Sequence, residues 1–430
     1  ELKKSTEIKE KLFFSYFLMA LRESLYFIDN TESRQKALLL ASELNQMIPG
    51  KNPFSVIAEY LLKEKTPSAS DISETSLSQV KNAADADYKY FLYTKYVGLK
   101  LELFANLNDA ETFVKEAENF AKLFPSSNLK YFVVGDLSDI QIALEKYPDF
   151  FELYLVSADD FFQKQNFEKS SQHYLKALEL YTDLPPALYG MGKIYYDIGV
   201  KQTALEYFEK VAQTHPDYLD TLFLKGVCLH DLERYDESNE VMNIVGKPNT
   251  IEKGYACYYI ALNYFNLKNY PEVEKNIKIA ESIIYHSFPI NILAGLFYFQ
   301  TEHYKESRLY FGKAQEISKN HPDCYYYPGL MDLKEKKVKS AFKKFYLAAV
   351  YYKSELDRQF ERIKAVDENQ KSELLLRKRW LLEKNLNKDA DATIEKLDAV
   401  LNAFPKSQNK EIKEIRKTVQ YIRERYLKPF

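Results

Sequence analysis

The residue types that most often carry chemistry are present in this chain but are not arranged for it. His173, His215, His230, His286, His303 and His321 never pair on one helical face, so no local metal-ligand set is written. Cys228, Cys257 and Cys324 form no CxxC, and their odd number leaves at least one thiol unpaired, which leans towards a reducing compartment. Asp159 and Asp160 adjoin, and burial would raise the pKa of one of them into an acid–base range. Their setting reads instead as ordinary solvated helix charge. Neither a glycine-rich phosphate loop nor a zinc-protease or serine-hydrolase signature occurs. The expectation is a chain with no catalytic residues, no metal and no cofactor.

The unusual chemistry is aromatic. Thirty-five Tyr and 28 Phe stand against one Trp in 430 residues, within a balance of 46% hydrophobic and 28% charged residues. Rings in that number must be buried or used against a ligand. A net charge of -2 argues against wholesale attraction to nucleic acid or an anionic membrane. The charge is nevertheless lopsided: residues 332–430 carry 25 Lys and Arg against 16 Asp and Glu, a surplus of +9 against -11 for the rest. No run reaches the length of a membrane span. The apolar stretch 12–21 resembles a signal core, but Arg22 and Glu23 follow it without a cleavage site. A start at Glu1 leaves room for a removed leader or lipid anchor, so both cytoplasm and periplasm fit. The Lys-, Asn- and Tyr-heavy usage resembles that of AT-rich bacterial genomes.

What positions the rings is a period. Ala158, Gly192, Gly226, Ala261, Gly295 and Gly329 follow one another at 34, 34, 35, 34 and 34 residues. With Phe151, Pro185, Leu219, Gly254, Phe288 and Pro322 as first positions, these small residues all fall at position 8. Position 20 is then Ser170, Ala204, Ser238, Val273, Ser307 and Ala341, and position 24 is Tyr174, Phe208, Met242, Ile277, Phe311 and Phe345. Ala177, Val211, Val245, Ala280, Ala314 and Ala348 fall at position 27. Small residues let two helices cross closely, and the large residue at position 24 fills the groove between neighbours.

This pattern resembles the tetratricopeptide repeat family, most clearly over 185–218 through Leu188, Met191, Gly192, Tyr195, Ala204, Phe208 and Pro216. Departures are an extra residue before Ala261, Asp332 at position 11 of the last repeat, Tyr285 in place of a terminal proline, and a late Pro322. The resemblance implies an all-α fold, a right-handed superhelical solenoid of antiparallel helix pairs. It also implies that positions 2, 5, 9 and 12 of each first helix face an inner groove. Those positions include Leu155, Phe162, Tyr189, Lys193, Tyr196, Phe223, His230, Tyr255, Tyr258, Phe265, Phe299 and Tyr326, an aromatic trough. Family members that clamp the acidic C-terminus of chaperones carry Lys at position 5 and Asn at position 9. Here position 5 is Leu155, Tyr189, Phe223, Tyr258, Ile292 and Tyr326, and position 9 is never Asn.

The organisation expected is helical pairs over 1–65, a loop over 66–79, divergent helical repeats over 80–150 and six regular repeats over 151–350. An extended helix, a helix pair near 372–384 and 390–403, and an amphipathic capping helix over 409–427 complete the tail at 351–430. Function is read as non-catalytic: a scaffold or adaptor binding a peptide or helix in the trough. The alternatives are a homo-oligomerising or envelope-associated structural protein, and, far behind, an enzyme or RNA-binding module. The trough is expected to take a separate protein, a second copy, or the chain's own helices.

Overall fold

The computed structural model describes residues 31–47, 151–214, 219–247, 251–366 and 372–427, with scattered positions before 150. The expected loop at 66–79 lies outside the described residues, and so do nearly all of the expected divergent repeats at 80–150 and the turn at His215 and Pro216. Every described element is helical, with no strand among the described residues. The fold is therefore an all-α array of helix pairs. None of the described helices is long and apolar enough to cross a membrane.

The chain forms two compact units, residues 1–160 with 175–186, and residues 161–174 with 187–430. In the first, α1 (Thr31–Met47) buries Ala37, Ala41 and Leu44 at helical spacing. There Phe13 and Phe17 stack at 5.7 Å and Lys9 pairs with Glu43 at 2.6 Å.

From 151 onwards, helices alternate in the period read above. They are α2 (Phe151–Gln163), α3 (Phe167–Leu180), α4 (Pro185–Ile198), α5 (Lys201–Thr214), α6 (Leu219–Asp231) and α7 (Tyr235–Val245). Next come α8 (Ile251–Asn266), α9 (Tyr270–Ile283), α10 (Phe288–Gln300), α11 (Tyr304–Ile317), α12 (Asp323–Lys334) and α13 (Val338–Lys364). Each pair is closed by one turn. Position 15 takes a left-handed backbone in every repeat: Gln165, Gly199, Glu233, Lys268, Glu302 and Lys336 have φ between 57° and 96°. Its N–H donates to the carbonyl of position 12, and the N–H of position 16 donates to that of position 11, as in Glu302 to Phe299 (3.1 Å) and His303 to Tyr298 (2.8 Å). This double closure satisfies carbonyls that a helix end would otherwise strand.

Inside the second unit the position-8 glycines let a large neighbour approach closely. A Cβ on Gly192 would lie 2.5 Å from Phe208, one on Gly226 2.7 Å from Met242, one on Gly295 3.0 Å from Phe311, and one on Gly329 2.8 Å from Phe345. The position-20 serines lock the same crossing, Ser238 Oγ and Ser307 Oγ each donating at 2.8 Å to the carbonyls of Gly226 and Gly295. Ala158, Ala204, Ala261 and Ala314 are fully buried, as Phe208 and Phe311 also are.

The tail departs from the period. Helix α13 runs 27 residues, α14 (Glu373–Ala403) runs 31 and α15 (Lys410–Tyr426) runs 17. The expected break between 384 and 390 does not occur. That stretch holds no Gly or Pro, and burial of Leu386 and Ala390 carries the helix through it. Leu356 and Ile363 of α13, Ile394, Leu397 and Val400 of α14, and Ile412, Ile415, Val419 and Ile422 of α15 form one aliphatic core.

Candidate functional site

The first helices of successive pairs from α6 to α12 touch one another, and rings from neighbouring pairs meet. Phe223 meets Tyr255 at 6.4 Å and Tyr259 at 5.7 Å, Tyr258 meets Tyr259 at 5.3 Å, and Phe299 meets Tyr327 at 5.1 Å. Phe162, Tyr189, Lys193, Tyr196, Phe223, His230, Tyr258, Phe265 and Phe299 are half-buried, each with part of its surface open to solvent. Tyr255 is the most open of the expected set at 45%.

Two expected positions are closed. Leu155 is 4% exposed and belongs to the core of its helix. Tyr326, at 7%, is covered by α14, whose Lys396 carbonyl accepts its hydroxyl at 3.5 Å. The reason is charge as well as packing. Lys396 Nζ bonds Asp323 at 2.9 Å and the Tyr352 hydroxyl at 3.0 Å, and it stands 5.5, 5.5 and 5.1 Å from the ring centres of Tyr326, Tyr327 and Tyr352. The sixth repeat is therefore filled by the chain itself. At its other end α14 reaches the first two pairs: Ser372 donates to Glu168 at 3.0 Å, Lys378 stands over Phe167 at 4.6 Å, and Leu381 packs beside Gly199.

Cations of the chain dress much of the remaining face. Lys193 lies 4.7 Å from the Phe162 ring and 5.7 Å from Tyr189, while Lys201 stands on Tyr196 and pairs with Asp231 at 3.2 Å. His230 is fixed from behind. Its Nδ1 is 2.5 Å from Asn263 Oδ1, and the Asn263 amide donates to Ser238 Oγ at 2.9 Å and Asn239 Oδ1 at 2.8 Å. Because the Asn263 carbonyl oxygen then faces the imidazole, Nδ1 carries the proton. Burial pushes the Tyr259 phenol up to about 12, with Tyr258 and Asp231 adding to it, so the ring stays neutral and hydrogen-bonding at any physiological pH.

Burial pushes the Cys228 and Cys324 thiols up to about 12, and Cys257 also upwards, and all three are buried and unpaired. A thiol held protonated is a poor nucleophile. Asp159 is exposed and Asp160 half-buried. Asp332, the departure at position 11, is the buried carboxylate of the array. Burial acts to raise its pKa, but Lys344 (2.7 Å), Ser340 (2.5 Å) and Arg308 (2.9 Å) outweigh that and hold it below the usual carboxylate range. Among the described residues no group of His, Cys, Asp and Glu could hold a metal ion.

Sequence reasoning missed Tyr259 and Tyr327 at position 6, and the α14 lysine that fills the sixth repeat. The doublets Tyr258-Tyr259 and Tyr326-Tyr327 were visible as a repeat within the repeat. The partner Lys396 was not, because 70 residues separate it from Tyr326.

Comparison with known proteins places the family on three stretches. Tetratricopeptide-repeat models match residues 158–199, 186–218 and 288–321. No curated protein matches the sequence. Solved structures similar to part of the chain include YrrB, described as a TPR protein with an unusual peptide-binding site. It is 20% identical, with a TM-score of 0.40, over 47% of this chain and 100% of that one. PilW, described as a type IV pilus biogenesis factor, is 15% identical with a TM-score of 0.42, over 53% of this chain and 96% of its own. MamA of Desulfovibrio magneticus RS-1 is 19% identical with a TM-score of 0.37, over 39% of this chain and 95% of its own.

Proposed function

We propose that this chain, a tetratricopeptide-repeat protein, is a non-catalytic scaffold that docks a partner peptide or helix on the first-helix face between Tyr189 and Phe299. The observation that carries this reading is the chain of rings from Phe223 through the exposed Tyr255 to the half-buried Tyr258 and Tyr259, which retains open surface while the equivalent Tyr326 is closed. Rings of this kind give large contact area at small entropic cost, and their hydroxyls and edges give orientation.

The substitution of Phe223, Tyr255 and Tyr258 by Ala tests it. Retention of a partner in pull-down should fall at least tenfold while helicity by circular dichroism is kept, since each well-buried anchor is worth about 2 kcal/mol. Undiminished retention would remove this face as the contact.

A further inference from the structure

The fourth and sixth repeats carry the same doublet at the same place. Tyr258 and Tyr259 occupy positions 5 and 6, as do Tyr326 and Tyr327, and the rings of each pair meet edge to face at 5.3 and 5.2 Å. The sixth repeat shows what such a doublet holds. Lys396 Nζ sits 5.5 Å from both ring centres, with the carboxylate of Asp323 at 2.9 Å. In the fourth repeat, among the described residues, no lysine or arginine of the chain lies over Tyr255, Tyr258 or Tyr259. Lys201, the nearby cation, is engaged by Tyr196 and Asp231.

The surroundings favour a cation from outside. The third repeat, residues 219–253, contributes seven Asp and Glu against four Lys and Arg, and Asp231 is close enough to Tyr259 to oppose ionisation of its phenol. Phe223 and Tyr255 extend the rings sideways, giving the methylene stem of a long side chain an apolar wall while its charged head faces the ring quadrupoles.

We propose that the Tyr258–Tyr259 doublet, walled by Phe223 and Tyr255, is the recognition pocket for a lysine or arginine side chain of the docked peptide. The inference rests on the docking reading above and names the chemistry of its partner: a basic segment whose cation meets the paired rings as Lys396 meets them two repeats further on, with Tyr255 and Ile284 standing where Asp323 and Tyr352 bind Lys396 there.

A positional-scanning array of synthetic nonapeptides, each position stepped through Lys, Arg, Glu, Leu and norleucine and probed with the full chain, tests it. Lys or Arg should be preferred at one fixed position by about tenfold over norleucine, which has nearly the same stem and no charge. The preference should persist in Tyr258→Phe/Tyr259→Phe, which keeps the rings, and vanish in Tyr258→Leu/Tyr259→Leu. Tyr255→Leu, at an exposed position where folding is not at stake, should weaken it with an unchanged circular dichroism spectrum. If peptides are retained and lost on Phe223→Ala but show no preference for a cation, the pocket is wrong and the docking face stands. If nothing is retained, or retention ignores Phe223→Ala, both fall together.

Discussion

In the helix pairs between 187 and 345, two helices cross at a glycine or an alanine; in the tail, helices are joined by side chains that reach across. Gly192, Gly226, Gly295 and Gly329 each leave space for one large neighbour sixteen positions on, so every crossing is local in sequence and repeats itself. The tail is held by an aliphatic ladder from three long helices and by two polar clusters of high sequence separation. One is Asp323, Tyr352 and Lys396; the other is Asp357, which accepts from Tyr421 (2.9 Å), Lys353 (2.9 Å) and Tyr426. The contrast teaches why one region was written in the sequence as a period and the other was not. Local crossings constrain neighbours at fixed spacing, while long-range ones constrain residues whose spacing is arbitrary.

Perturbations should separate the two regions. The largest effect is expected in the tail ladder: Ile415→Ala, at a fully buried position, should cost about 3 kcal/mol, measured as a fall in the urea midpoint of tail unfolding. Asp332→Leu should come next, at about 2 kcal/mol. It strands Arg308 and Lys344, but both keep about a third of their side-chain surface in water, so the cost stays below that of a fully buried charge. Its acid limb should also flatten. The folded-state pKa values of Asp332 and Asp357 are both lowered, so their contribution is present above about pH 4 and is lost as pH falls through the folded value. Removing Asp332 should take away its share of that loss in a pH series of thermal melts and leave the shares of Asp357 and of other lowered carboxylates, Glu237, Glu274 and Glu335.

Gly192→Ala should destabilise the array by about 1–2 kcal/mol although Ala is the better helix former, because its Cβ would meet the Phe208 ring. A gain would mean that the crossing relaxes freely. The smallest effect is expected at the turns. Glu302→Gly, at φ 62°, should stabilise by about 0.5 kcal/mol, the relief of a left-handed backbone exceeding the added entropy of the unfolded chain.

The helix pairs and their buried faces were legible because positions 8, 20, 24 and 27 alternate small and large at one period. The left-handed turn was not, since five of its six residues are Gln, Glu or Lys and only Gly199 carries the usual signal. Of the groove positions that the resemblance implied, those from Phe162 to Phe299 keep surface open to solvent, while Leu155 and Tyr326 are closed by contacts that no spacing announces. Tyr326 is the instructive case. Its place in the repeat is set by the period, but what covers it is decided by a helix 70 residues away.

The most direct test of the docking face is site-specific photo-crosslinking in the native cell. Benzoylphenylalanine placed at Tyr255, on the face, is compared with the same group at Tyr285, which is 83% exposed in the turn between α9 and α10. The account predicts a discrete adduct to a partner protein from position 255 and none from 285. Equal adducts from both positions, or an adduct from 285 alone, would contradict it.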